Sequence, residues 1–302
     1  MRIPSVLKLF VVVAAVIGVG YPTLTAAQSA ASQARDHAVY ASVLTKKGVP
    51  VTTLGASDFV VREQGAEREV VDAAPASEPL RIAVLADTSR AMEPYINDMR
   101  RALRGFFREM NGNADIALFE FGDRPTRLVD YTRDPARLEE GIGRLFSRPV
   151  SGAYLLDAIV DASRDLRLRE SARPVIVVIS GQGPEFSQRF HQDVLKDLRA
   201  SRAAIYSMVV TRRRVPLLND GIREREVTLS EGAAQTGGRR EDLLTSMSLP
   251  DKLNALAREL KSQYRVVYSR PDTRTPVTRV DVGVRRPDLK VRASRVPAGT
   301  RW

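Results

Sequence analysis

Asp87, Thr88 and Ser89 place one carboxylate and two hydroxyls in a row, directly after the apolar run "LRIAVLA" at residues 80–86. Oxygens grouped in this way at the end of a buried strand suit a small hard cation, which takes about six oxygen ligands in octahedral array. Ala91 stands where such a shell would want one more hydroxyl. The plain alternative is loop capping, in which Asp87 and Ser89 accept hydrogen bonds from backbone N–H groups at the start of the following helix.

Other chemistry finds little support. His37 and His191 are the only histidines, and a nucleophilic triad would need Ser89 or Ser180 beside one of them. His191 lies in "RFHQDVLKDL" and reads as a surface residue in mid-helix. The chain has no Gly-x-Ser-x-Gly elbow and no phosphate loop, and "GQGPE" at 181–185 lacks the lysine and hydroxyl of a phosphate cradle. No nucleophile–base pair emerges, so no catalytic residue and no enzyme activity is expected.

The 302 residues suffice for one large domain and a smaller unit, and 43% hydrophobic with 27% charged residues is ordinary for a globular protein. The absence of cysteine excludes disulfides, thiol catalysis and thiolate metal sites. A net charge of +11 favours acidic partners, but no nucleic-acid motif accompanies it. The arginine-rich pieces at 211–215 and 237–242 read as solvated faces. At the N-terminus, Arg2 and Lys8 flank a short apolar run, and "LFVVVAAVIGVG" is followed by Pro22 and the small residues Thr25-Ala26-Ala27. This is the pattern of a secretory signal over residues 1–27, with an uncleaved anchor as the rival, and it predicts a secreted or periplasmic protein.

The elements that must position the site follow from periodicity. After a leader at 28–36, residues 37–74 alternate like short strands broken at Lys46-Lys47-Gly48 and at "QGAE", a small β-rich unit too short to stand alone. A linker covers 75–79. From residue 80 to residue 270, continuous apolar strands alternate with helices, which predicts an α/β fold: a doubly wound, Rossmann-like, mostly parallel sheet with helices on both faces. Residues 212–231 read as an irregular basic stretch. Residues 271–302 read as a C-terminal β-hairpin, turning at Arg286-Pro287-Asp288 and packing on the β-rich unit or the sheet edge, with a tail.

Five motifs in matching order resemble the von Willebrand factor type A domain, in particular the secreted bacterial forms with a small β unit in front. They are "TKKGVPVTTLGASDFVVREQG", "VLADTSRAM", "SGAYLLDAI", "VIVVISGQGPE" and the closing pair "AAQTGGR" and "LKSQYRVVYSRP", together spanning about residues 37–295. The resemblance implies a metal-ion-dependent adhesion site, in which Asp-x-Ser-x-Ser, a threonine from a second loop and an aspartate from a third hold magnesium, and an acidic residue of the partner completes the shell. Asp87 and Ser89 match that pattern; Ala91, Ala153 and Gly181 replace the remaining ligands and carry no side-chain oxygen. Glu185 is a possible substitute ligand that nothing requires. No metal and no cofactor are therefore expected.

The reading that results is an exported, cofactor-free protein–protein interaction module that has lost most of its metal ligands. Its partner would be an extracytoplasmic protein, with no nucleic acid and no small-molecule substrate, met at the C-terminal strand edge by Asp87, Ser89, Arg90, Ala153, Gly181, Gln182 and Glu185. Two alternatives stay open: a magnesium-dependent adhesion module with a rearranged shell, and a basic binder of polyanions or envelope surfaces.

Overall fold

The computed structural model describes residues 34–148, 151–211, 220–271 and 279–294. The expected signal segment, residues 28–33 of the leader, the arginine-rich piece beyond Thr211 and the tail from residue 295 lie outside the described residues.

The described chain begins with four strands, β1 (Ala34–Thr45), β2 (Phe59–Glu63), β3 (Ala66–Arg68) and β4 (Val70–Pro75). The leader expected to reach residue 36 already contributes Ala34–Asp36 to β1. β2 and β3 form a hairpin across Gln64 and Gly65, whose φ angles of +50° and +88° are those a two-residue primed turn requires. Then comes the expected alternation: β5 (Leu80–Ala86), α1 (Ile96–Met110), β6 (Ala114–Glu120), β7 (Thr126–Thr132), α2 (Pro135–Gly143), α3 (Leu155–Leu168), β8 (Arg173–Gly181), α4 (His191–Ser201), β9 (Ala204–Val210), α5 (Asp220–Thr236), β10 (Arg239–Leu243) and α6 (Leu249–Lys261). The chain returns through β11 (Tyr264–Pro271), β12 (Val280–Val284) and β13 (Leu289–Ala293).

β5 to β10 form one six-stranded sheet in the order β10-β9-β8-β5-β6-β7, parallel throughout except for β7 against β6. Side chains alternate across the pleat, so each strand feeds two cores. Ile82, Val84, Val175 and Met208 pack with α1, α2 and α6 on one face. Ala83, Leu85, Ile176 and Ile205 pack with α3, α4 and α5 on the other. Covering on both faces explains why β8 is buried at every one of its nine positions and reads as an unbroken apolar run.

Two stretches differ from the sequence reading. Residues 220–231, expected to be irregular, belong to helix α5, and "RRED" within 237–242 belongs to edge strand β10. The buried side of α5 consists of Glu224, Arg225, Thr228, Leu229, Gly232, Ala233 and Thr236: the spacing is helical, but polar side chains erase the apolar contrast. β10 can lie against β9 only because Gly238 lacks a side chain, since a Cβ there would fall 1.8 Å from the Ile205 carbonyl oxygen.

The β-rich unit also extends beyond 37–74, because both ends of the chain build it. One sheet runs β13-β1-β11-β4 and faces a second, β12-β2-β3, over a core that includes Val39, Phe59, Val61, Tyr264 and Val280. The α/β body therefore ends with α6, and β11 joins the sandwich. The last two strands were expected to pair as a hairpin. Instead β12 pairs with β2 and β13 with β1, each capping an open edge in a different sheet. Crossing between the sheets lets Val280, Val282, Leu289 and Val291 all face the shared core.

Gly238→Ala should lower stability by about 3 kcal/mol, because backbone must move to admit the methyl group. Gly143→Ala, in open space at the end of α2, should cost nothing measurable. Urea midpoints of the two variants against the parent check this.

Candidate functional site

Three loops meet at the C-terminal edge of the parallel sheet and are tied by backbone bonds. Arg148 N–H donates to the Thr88 carbonyl at 2.8 Å, Arg90 N–H to that of Ser151 at 3.3 Å, Ala153 N–H to that of Pro184 at 2.9 Å, and Phe186 N–H to that of Ala153 at 2.8 Å. The seven residues nominated from sequence thus share one edge, but they are not equally accessible.

Asp87 is fully buried. Its Oδ1 accepts from the Ser89 N–H at 2.8 Å; its Oδ2 accepts from the Ser180 hydroxyl at 2.8 Å and the Gly181 N–H at 3.1 Å. The expected capping is thus only half right. Asp87 ties its own loop to the end of β8 rather than to the next helix, and the buried Ser89 hydroxyl has no hydrogen-bond partner among the described residues. Ala91 and Gly181 are in close contact: a Cβ on Gly181 would meet Met92 Sδ at 3.0 Å and the Ala91 carbonyl oxygen at 3.2 Å. Ala153 is buried. Arg90 is exposed, and no ion pair to it occurs among the described residues. Gln182 is half-buried, donates its N–H to the Val210 carbonyl at 3.2 Å, and leaves Oε1 without a partner among the described residues.

Glu185 is not the surface residue the sequence suggested, being 5% exposed. Helix α3 has no side-chain cap of its own at Tyr154. The third loop supplies one: Ser187 Oγ accepts from the Asp157 N–H at 3.1 Å, and Glu185 accepts from the N–H groups of Ser187, at 3.3 Å, and Leu156. A carboxylate at a helix N-terminus is favourable, but burial dominates here and pushes the Glu185 carboxyl up to about 7, against the pull of its hydrogen bonds and of Arg225. Arg225, itself buried, anchors the same loop by donating to the Gly183 carbonyl at 3.0 Å.

The sequence reading passed over a polar chain beneath the first two loops. The Thr88 hydroxyl donates to Glu120 Oε2 at 3.2 Å and accepts from the Gly122 N–H at 3.2 Å, while Arg148 meets Glu120 Oε1 at 2.7 Å. The available signal was Glu120 itself, an acid closing the apolar strand "DIALFE". No triad forms around His191. It is the first residue of α4 rather than a mid-helix residue, its Nδ1 lies 2.5 Å from Glu224 Oε2, and Ser180 is spent on Asp87.

Residues 82–184 match the family model of the von Willebrand factor type A domain. No curated protein sequence matches the chain. Among solved structures, proximal thread matrix protein 1 from the mussel byssus superposes with a TM-score of 0.53 at 13% identity, over 66% of this chain and 50% of that one. The same mussel protein with a zinc-occupied MIDAS motif gives a TM-score of 0.50 at 13% identity, over 66% and 49%. A von Willebrand factor type A protein from Catenulispora acidiphila gives 0.49 at 11% identity, over 87% and 74%. The chain spans about half the length of the mussel protein, and at these identities the likeness is one of fold.

Burial of Glu185 has a measurable sign. Its folded pKa lies above its ordinary 4.5, so ionising it disfavours the fold, and stability falls as pH rises from about 4.5 to about 7. The shift corresponds to about 3 kcal/mol, at 1.36 kcal/mol per unit. Glu185→Gln should remove this slope. Urea titrations at about pH 4.5 and about pH 7.5 should show the variant gaining on the parent at the higher pH.

Proposed function

We propose that this chain, which carries a von Willebrand factor type A domain, is an exported protein–protein interaction module that captures its partner at the C-terminal strand edge without a metal ion. One observation carries the reading. Of the eight large apolar side chains most exposed among the described residues, five belong to segments at this edge: Phe146 precedes the second loop, Phe186 and Phe190 follow the third, and Leu244 and Met247 follow β10. They are 49–89% exposed. Large exposed apolar side chains concentrated at one end of a fold mark interaction sites, and aromatic residues lead among those that anchor partners.

The residues present do not fit a divalent shell of about six oxygens. Both oxygens of Asp87 accept protein donors, and Ala91, Ala153 and Gly181 have no side-chain oxygen to give. Arg90 supplies an exposed positive charge on the loop where the cation would otherwise recruit a partner carboxylate. Export rests on the signal-like pattern of Arg2, Lys8, the apolar run and Thr25-Ala26-Ala27.

A second reading draws on a specific feature. Ser89 Oγ, Gln182 Oε1 and Glu185 Oε2 are buried acceptors without partners among the described residues, and a rearranged magnesium shell would use them. A ligand of the native state raises its stability by mass action. On the metal-free reading, millimolar magnesium leaves the melting temperature of chelator-treated protein unchanged; a saturable rise would favour the second reading.

Capture of a partner from envelope extract should persist in chelator. Once that partner is purified, Phe190→Ser and Met247→Ser should each weaken its binding at least about tenfold, or ~1.4 kcal/mol. Leu168→Ser, an equally exposed apolar side chain at the far end of α3, should leave it unchanged. Equal binding by all three variants would place the contact elsewhere, and steep loss with salt would point to a polyanion instead.

A further inference from the structure

A cavity of about 50 Å³ lies at the opposite end of the parallel strands, where the β sandwich is seated on the α/β body. A single water needs roughly 10–15 Å³ of such space, so the cavity has room for a small organic molecule. Val39 and Tyr40 of β1, the starts of β8 and β9, the end of α5 and Gln263 form its walls.

Its charge is one-sided. Arg173 and Arg202 both line it, and no carboxylate does among the described residues. Arg173 is a buried cation met by neutral acceptors: Nη1 donates to the carbonyls of Ala76 at 3.3 Å and Glu78 at 3.0 Å, and Nη2 to the Leu260 carbonyl and Gln263 Oε1, both at 2.8 Å. Its Nε–H is buried and has no acceptor among the described residues, and the guanidinium stacks 5.3 Å from the Tyr40 ring centre. Glu78, whose charge Arg173 feels, is held by Arg265 at 3.0 Å. A buried cation without a bonded anion is costly, and the cavity beside it can admit one. The remaining wall is mainly apolar, formed by Val39, Pro174, Val175 and Ala204, with Thr236 and Ser294 as its polar members beside Tyr40 and Gln263.

We infer that this cavity binds a short-chain monocarboxylate of acetate-to-butyrate size, its carboxylate drawn to Arg173 and Arg202 and its tail lying against Val175, Pro174 and Ala204. With both Nη groups of Arg173 engaged, its Nε–H is the donor left to give the carboxylate a charge-assisted hydrogen bond. The apolar wall selects a carbon tail over an inorganic anion. The site is independent of the contact edge, because Arg173 begins β8 and Gly181 ends it.

The test is thermal unfolding of the full chain in sodium acetate, propionate, butyrate or chloride at constant ionic strength. Butyrate should raise the melting temperature saturably, and chloride should not. Arg202→Gln should weaken the response at least tenfold. Ala204→Leu, which fills the cavity, should abolish it while the unliganded protein stays folded by circular dichroism. No saturable response to any carboxylate, a response matched by chloride, or one retained in both variants would overturn the inference.

Discussion

A buried carboxylate must be met by donors or lose its charge, and Asp87 is met by three. They come from two separate segments, Ser89 beside it and Ser180-Gly181 at the end of the central strand. A single side chain thereby fixes the first loop to the third. Because hydrogen bonds to a charged acceptor are about twice as strong as neutral ones, this junction is rigid without any ion. The same bonds engage both Asp87 oxygens, and that is the support for the proposed metal-free edge.

The neighbouring loops are secured by the same logic. Glu120 joins Thr88 to Arg148 and so ties the first loop to the second, while Glu185 and Ser187 cap α3 and tie the third loop to it. Acids that look from sequence like surface contacts are here turned inward. Outward, the edge presents Phe186, Phe190, Leu244, Met247 and Arg90, with the carboxylates Glu93 and Asp123 exposed beside them. Gly181 and Ala91 belong to this arrangement, since an added side chain at residue 181 would press on Met92 and the Ala91 backbone.

The parallel sheet was legible because strands covered on both faces must be continuously apolar, as "PVIVVISG" is. Helices α1 and α3 were legible by their apolar spacing. Helix α5 was not, since its inward face carries Glu224, Arg225 and Thr228, whose burial depends on partners remote in sequence. The pairing of β12 and β13 was not legible either: alternation marks a strand but not its neighbour, and both found open edges elsewhere. At the site, the location of the edge was readable from the order of the motifs. The inward turn of Glu185 was not, because it arises from a helix that lacks its own cap.

Manganese titrated into isotopically labelled, chelator-treated protein addresses the role of Asp87 most directly, because the paramagnetic ion broadens the signals of nuclei near it. With Asp87 committed to its three protein donors, the amide signals of Ser89 and Gly181 keep their intensity at millimolar manganese relative to the rest of the chain. Selective loss of those two signals at lower manganese would contradict a metal-free edge.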